Sequence, residues 1–293
     1  MGAMTLAVAA PPQAVMASRE SSATTLKFMR AKVRREGPNT QWERNADVPH
    51  LTGWEWLIAV TGAIAAGLSK GGFSGLGLIA VILFASIFGA RDSTGIVLPL
   101  LIVGDIGAVS IFRQHARWDH IRRTLPLAAA GVVIGTLIMT RLDNASFRPL
   151  LGGVILLLTT LQLIRLRWPD LYGAVPHARP VAWSLGLIAG ITTMVANAAG
   201  PLVALYYVAV GLPKMEVVGT LAWFFVIINI FKVPFSVWLG VIHGSSLALD
   251  AVLAPAVVVG LMSGRWLLGR ISQRVFDSVL LAFAALAALR LIL

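Results

Sequence analysis

A glycine-crowded stretch at residues 67–77, Gly-Leu-Ser-Lys-Gly-Gly-Phe-Ser-Gly-Leu-Gly, most constrains what this chain can fold into. It separates two apolar runs, Trp54 to Leu68 and Leu76 to Phe88, each shorter than the roughly 20 residues that a helix needs to cross a bilayer. Glycine eases departure from the helical conformation, so the chain is predicted to unwind here. Unwound backbone at membrane depth is tolerated only inside protein or beside a watery cavity. The lysine and two serines of this break therefore predict a solvated polar site.

The composition indicates the class of protein. Of 293 residues, 57% are hydrophobic and only 13% are charged, and the mean hydropathy is +0.82. A soluble domain carries roughly twice that charged fraction. Repeated long apolar runs predict an all-α, multi-pass integral membrane protein, since the strands of a barrel would appear as short alternating segments.

The charge and the reactive residues narrow the function classes. The formal charge is +11, from 24 Lys and Arg against 13 Asp and Glu, and most of the excess lies in loops and in the first fifty residues. Contact with membrane lipid explains such an excess, so nucleic acid is not a predicted partner. The chain has no cysteine, its histidines fit no ligand spacing, and it lacks a serine-hydrolase or phosphate-loop motif. We therefore predict no catalytic residues, no metal and no cofactor.

The second half of the chain repeats the first. A short apolar run, Val181 to Val195, is broken at 196–201 and followed by the shorter run Leu202 to Val210. Full-length spans are predicted at 94–112, 126–140 and 147–164 in the first half and at 217–239, 249–268 and 276–293 in the second. Five matched pairs are each 129 residues apart: Pro126 and Pro255, Gly131 and Gly260, Gly135 and Gly264, Arg141 and Arg270, and Phe147 and Phe276.

We interpret this as a duplication, with a basic tail (1–50), a first transmembrane repeat (51–166), a polar connector (167–182) and a second repeat (183–293). Loops 113–123, 165–179 and 270–274 are basic, whereas loop 240–247 has no Lys or Arg. The spans alternate between the two sides only if each broken pair enters and leaves by the same face. The predicted fold is thus two inverted repeats, each with a broken short-helix pair plus three full transmembrane helices. The basic tail favours the opposite placement, so the absolute orientation stays open.

Two half-helices are predicted to begin at mid-membrane, near Ser74–Gly75 and near Gly200–Pro201. A helix start presents free N–H groups and a positive dipole end, which together favour an anion. The alternative is that the glycines only let helices pack closely. The candidate substrate-binding residues are Ser69, Lys70, Gly71, Gly72, Phe73, Ser74, Gly75, Thr192, Thr193, Asn197, Gly200 and Pro201.

Ionisable residues within the spans are functional candidates because burying a charge in a membrane is costly. Asp105 either carries a coupling proton or forms a static ion pair with Lys70 or Lys232. Asn229 occupies the matching position of the second half and cannot titrate. Lys232 either lines the transport route or extends to the membrane interface. The small-residue pairs (Gly131 and Gly135, Gly260 and Gly264) predict close helix packing or a homodimer.

Two stretches resemble the signatures of the TauE/SafE sulfite exporter family. The run Ala66 to Gly77 resembles its first signature, and Val217 to Phe235, with Asn-x-x-Lys-x-Pro, resembles its second-half signature. The resemblance covers Trp54 to Leu293. Many members repeat a glycine cluster in the second half, where this chain has Asn-Ala-Ala-Gly-Pro at 197–201. Asn197 therefore becomes the stronger candidate for anion binding in that half.

The resemblance implies a secondary transporter of small anions, such as sulfite, sulfonates or sulfoacetate, in a bacterial inner membrane. We expect alternating access, with protons as a candidate coupling ion. The alternatives are a passive anion channel, a membrane-embedded enzyme, or an assembly partner without transport activity.

Overall fold

The computed structural model describes residues 51–167, 179–268 and 270. The predictions for the tail (1–50), most of the connector (168–178) and the last span (276–293) lie outside these residues. The described residues form nine α-helices and one 3-10 turn: α1 (Gly53–Lys70), α2 (Leu76–Phe88), α3 (Asp92–Phe112), the 3-10 turn (Arg113–His115), α4 (Trp118–Arg141), α5 (Asn144–Arg167), α6 (Arg179–Ala196), α7 (Gly200–Ala209), α8 (Lys214–Trp238) and α9 (Gly244–Leu268).

Four of these helices, α3, α4, α8 and α9, are long and apolar enough to cross a membrane. Large apolar side chains on them stay exposed, among them Ile106, Leu137, Val237 and Val259. Such a surface suits lipid, where apolar exposure costs nothing. No strand occurs among the described residues, which confirms the all-α prediction for this part of the chain.

The first interruption is shorter than the sequence predicts. The chain turns through residues 71–75, but α1 continues through Ser69 and Lys70. The prediction that these two residues lie in unwound backbone is therefore wrong. Ser69 Oγ donates to the carbonyl of Ala66 over 2.7 Å, a bond to the preceding turn that a serine makes without leaving the helix.

Two corners of left-handed backbone redirect the chain at the interruptions. In the first break Gly72 has a φ of +117°, a conformation that a residue without a Cβ adopts readily. In the second break, at 197–199, Asn197 has a φ of +51°. Asparagine is among the few other residues that visit this region, so it replaces the glycine of the first half. The predicted interruptions of both helices are confirmed.

Pro126 does not open a helix as predicted. It lies inside α4, which begins eight residues earlier at Trp118, and Pro255 likewise lies inside α9. The apolar run begins after the helix does, because the first turns of α4 carry the exposed residues Arg122 and Arg123. Charged residues of this kind do not prevent a helix from forming.

Glycines allow the broken helices to cross full-length ones at close range. A Cβ added to Gly67 of α1 would overlap the carbonyl oxygen of Val257 in α9, and a Cβ added to Gly190 of α6 would overlap that of Ala128 in α4. The two contacts are equivalent in the repeat, because Gly190 lies 123 residues after Gly67 and Val257 lies 129 residues after Ala128. The first broken helix thus packs on a span of the second half, and the reverse also holds.

The predicted small-residue faces take part in these same crossings. A Cβ on Gly131 would overlap the carbonyl oxygen of Leu187, and a Cβ on Gly260 would overlap that of Ile64. The shifts are again 123 and 129 (187 − 64; 260 − 131). Close packing is confirmed, and it occupies these faces within one chain. The homodimer stays a prediction.

The central helices α3 and α8 run antiparallel and pack against each other. Near the start of α3, a Cβ on Gly95 would overlap the carbonyl oxygen of Val241, just beyond α8. Near the start of α8, a Cβ on Gly219 would lie 2.7 Å from the carbonyl oxygen of Phe112, at the end of α3. The two glycines are 124 residues apart (219 − 95).

We expect Gly67→Ala to destabilise the protein, because the new methyl group overlaps a backbone oxygen that cannot move without shifting α9. Overpacking of this kind costs about 1–3 kcal/mol, so the thermal unfolding midpoint in detergent should fall. Gly153→Ala is the matched control, since a Cβ at this glycine of α5 meets open space. Equal midpoints for the two variants would contradict the close crossing of α1 and α9.

Candidate functional site

The two interruptions meet at their tips. A Cβ added to Gly200, the first residue of α7, would lie 3.6 Å from the carbonyl oxygen of Ser74, just before α2. The first N–H groups of a helix have no partner within it, and they carry the positive end of its dipole. Pro201 takes the second position of α7, where a missing N–H costs little. Two positive helix ends therefore lie side by side.

A cavity of about 340 Å³ lies at these tips. Eight of the twelve predicted substrate-binding residues line it: Ser69, Lys70, Gly72, Ser74, Thr193, Asn197, Gly200 and Pro201. Asp105 and Asn229 line it as well. The structure thus brings residues from both halves of the chain to one wall.

The other four predicted substrate-binding residues do not line the cavity. A Cβ on Gly71 would meet the backbone of Gly264, so this glycine serves helix packing. Phe73 is buried in an apolar cluster with Leu76 and Ala108. Thr192 Oγ1 donates to the carbonyl of Ile188 within α6 (2.8 Å). Gly75 is the N-terminal cap of α2.

The cavity is open at one end and closed at the other. Its lining reaches Val208 and Lys214, both of which are exposed. At the other end it stops at Leu101, Asp105 and Asn229, which are 5%, 0% and 1% exposed. Lys214 Nζ donates to the carbonyl of Leu268 over 2.9 Å, which places the open end beside the end of α9. We call the open end the mouth.

Lys70 is the charged side chain that reaches the centre of the cavity wall from α1. Its Nζ lies 2.7 Å from Asp105 Oδ1 and 4.5 Å from the centroid of the Phe225 ring. The ring face attracts a cation, and the carboxylate neutralises it. Because the lysine side chain is still 12% exposed, its ammonium group has access to the cavity.

Asp105 and Asn229, which the register of the repeat pairs, are in direct contact. Asn229 Nδ2 donates to Asp105 Oδ2 over 2.7 Å, and both residues are buried. Asn229 Oδ1 in turn accepts from Lys232 Nζ over 3.3 Å. The carboxylate is thus bridged to a second lysine through a neutral amide.

Lys232 points into the protein, so the alternative in which it extends to the membrane interface is wrong. It is 1% exposed and donates to Asn197 Oδ1 (2.5 Å) and Thr193 Oγ1 (3.3 Å). The Nδ2 group of Asn197 donates to the carbonyl of Thr94 in α3 over 2.7 Å. The amide of Asn197 is therefore held by protein groups on both sides.

These contacts form one continuous polar chain across the centre of the protein, which we call the central network: Lys70, Asp105, Asn229, Lys232, Thr193, Asn197 and Thr94. It links α1, α3, α6, α8 and the second break. Two lysines face one carboxylate within it, so the formal charge of the buried group is positive. An added anion would complete this charge balance, since a buried charge needs a partner.

Sequence reasoning missed three residues at the site. Phe225 lies under the Lys70 ammonium, Thr94 supplies a backbone oxygen to Asn197, and Lys214 stands at the mouth. The first two depend on which helices are neighbours, and the sequence offers no signal for either. Lys214 follows a Gly-Leu-Pro turn and looks like an ordinary surface residue.

Comparison with known proteins identifies a family. The family model described as Sulfite exporter TauE/SafE matches residues 58–291. Searches of the curated proteins and of the solved structures found no match.

Proposed function

Because the chain belongs to the TauE/SafE sulfite exporter family, we propose that it is a secondary transporter for a small sulfur-containing anion of the sulfite, sulfonate or sulfoacetate class. It moves this anion across the bacterial inner membrane by alternating access. The observation that carries the proposal is the cavity, where two half-helices begin side by side next to Lys70. Membrane lipid surrounds the exposed apolar faces.

The anion binds where positive charge converges. Lys70 supplies a full charge, and the first turns of α2 and α7 supply N–H groups and partial positive charge. Ser74 and Gly200 sit at these two helix starts and line the cavity, so their backbones are the proposed direct contacts. Half-helix starts at mid-membrane serve anion groups in this way in other transporter folds.

The remaining predicted residues position this site. Asn197 and Thr193 hold the second break against Lys232. The first break is set by the packing of Gly71 and Phe73, and Gly75 caps α2. These residues fix the two helix starts, and such pre-organisation lowers the cost of binding.

The two halves form inverted repeats in this proposal, with the boundaries 51–166 and 183–293. The reciprocal crossings support it, since the shifts of 123, 124 and 129 residues relate contacts made by α1 and α6, by α3 and α8, and by α4 and α9. The antiparallel packing of α3 on α8 is what an inverted pair requires. In such folds alternating access follows from rocking one part of the protein against another.

A carrier fits the cavity better than an open channel does. A channel needs a continuous path, whereas this cavity ends at the buried residues Leu101, Asp105 and Asn229. As far as residues 51–167 and 179–268 define the cavity, substrate therefore reaches the centre from the mouth.

Asp105 carries the coupling proton in this proposal. It shares the Lys70 ammonium with the cavity, so a bound anion competes with the carboxylate for the same charge. A proton on Asp105 would cancel that competition and release Lys70 to the anion. Proton uptake and anion binding would then favour each other.

We expect Lys70→Met to reduce the flux of sulfite or sulfoacetate in proteoliposomes by at least about tenfold, since it removes the full positive charge beside the two helix starts; loss of one charged hydrogen bond is worth roughly 1.5–3 kcal/mol. Lys70→Arg keeps the charge and should retain more flux than Lys70→Met.

A double variant separates anion binding from neutralisation of Asp105. If Lys70 only neutralised the carboxylate, Lys70→Met with Asp105→Asn would restore flux. The proposal predicts that flux stays low in the double variant, and a return to the wild-type rate would remove Lys70 from the binding site.

We expect Asp105→Asn to uncouple transport from the proton gradient. The amide mimics the protonated carboxyl group, so exchange of anion for anion should persist while an imposed pH gradient no longer drives uptake. The assay uses sulfoacetate at constant membrane potential, because its sulfonate stays ionised and sulfite itself takes up protons. Uptake by Asp105→Asn that still follows the pH gradient would show that another group carries the proton.

A further inference from the structure

The cavity uses unequal parts of the two central helices. From α3 it takes Leu101 at the middle of the helix and Asp105 and Ala108 in its C-terminal half. From α8 it takes residues between Val217 and Asn229, which lie in the N-terminal half and just past the middle. Because α3 and α8 are antiparallel, both of these halves face the mouth.

The same shift of 124 residues relates the lining of one helix to that of the other. It pairs Leu101 with Phe225 and Asp105 with Asn229 (225 − 101; 229 − 105), and all four of these residues line the cavity. They therefore form a centre that both halves share. On either side of this centre the two helices no longer match.

Beyond the centre, only one residue of each related pair lines the cavity. Ala108 of α3 lines the cavity, whereas its counterpart in α8 is Lys232 (232 − 108 = 124), which is buried and does not line it. In the other direction, Val218 of α8 lines the cavity, and its counterpart in α3 is Thr94 (218 − 94 = 124), which is buried as well. Lys232 and Thr94 are thus the counterparts of mouth-side residues on the closed side.

The closed side contains polar groups that an apolar seal would not need. Lys232 and Thr94 are joined there by Asn197, and Ser236, one turn beyond Lys232, is also buried. The side-chain hydrogen bonds of Lys232 go to the neutral oxygens of Asn197, Thr193 and Asn229. An ammonium group held by neutral acceptors at membrane depth is costly, and such residues mark ion pathways.

We propose that Lys232 is the anion-facing lysine of a second cavity, which opens on the side opposite to the mouth and is closed in this structure. The inference rests on the proposed alternating access between inverted repeats. When the two halves exchange conformations, the C-terminal half of α8 and the N-terminal half of α3 line the new cavity. Lys70 then serves the anion on the mouth side, and Lys232 serves it on the other.

The test uses single-cysteine variants, because the chain has no cysteine of its own. Two matched pairs are made: Ala108→Cys with Lys232→Cys, and Val218→Cys with Thr94→Cys. Each variant is treated with a membrane-impermeant maleimide in right-side-out and in inside-out vesicles. Ala108→Cys and Val218→Cys should react from one face, which identifies the mouth.

Lys232→Cys and Thr94→Cys should react from the opposite face. A minor conformation is typically populated at roughly 0.1–10%, so we expect labelling there to be roughly 10- to 1,000-fold slower than for a freely exposed thiol. Reaction from the mouth face, or reaction from neither face while Ala108→Cys reacts, would overturn the proposal. If Lys232→Cys does not fold, Thr94→Cys and the near-isosteric Ser236→Cys decide the outcome.

A protection measurement tests the role of Lys232 in binding the anion. Sulfoacetate added at the opposite face should slow the labelling of Thr94→Cys, and adding Lys232→Met should abolish this protection. Protection that survives Lys232→Met would remove the lysine from the second cavity. Labelling requires no net flux, so the two proposals can fail separately. If the cysteines react from the opposite face but the protein does not transport, only the proposed function is contradicted. If the protein transports but these cysteines do not react from the opposite face, only this inference is contradicted.

Discussion

Backbone that leaves the helix in the middle of a membrane must find polar partners there, and this constraint governs the structure. The corners at 71–75 and 197–199 take away the partners that an uninterrupted helix would give the first N–H groups of α2 and α7. In α2 the N–H groups of Leu76 and Leu78 are bonded instead to the carbonyls of Phe73 and Gly75 in the turn. The protein places both ends against one cavity instead of burying them in apolar side chains. Close crossings at Gly67 and Gly190 hold the broken helices in place, so the packing of small residues and the exposure of polar backbone depend on each other.

In the proposed function, the central network makes this arrangement respond to an anion. It joins both halves of the chain, yet its charges are distributed unevenly between them. Lys70 is paired with a carboxylate and has access to the cavity, whereas Lys232 is held by neutral oxygens behind the cavity wall. A substrate anion that takes the ammonium group of Lys70 must displace or neutralise Asp105. Binding is therefore linked to the contacts that hold α1, α3 and α8 together, and such linkage is what a carrier needs.

Local signals predicted much of this, and long-range contacts account for what was missed. Glycine and proline act on their own backbone, so both interruptions could be read from the sequence, and the repeat register brought Asp105 next to Asn229. The helical state of Lys70 could not be predicted, because Gly67 before it serves the crossing with α9 rather than unwinding. The inward direction of Lys232 depends on neighbours that are more than thirty residues away in the chain, such as Asn197.

The central claim is that the two half-helix starts and Lys70 form one anion site, and a crystal structure with bound selenite tests it most directly. Selenite is a heavier analogue of sulfite, and its selenium gives an anomalous signal that identifies the anion without ambiguity. The account predicts a peak between the first turns of α2 and α7, with an oxygen within hydrogen-bond distance of Lys70 Nζ. A peak elsewhere in the protein, or a fully occupied selenite that leaves these helix starts in contact with water alone, would contradict it.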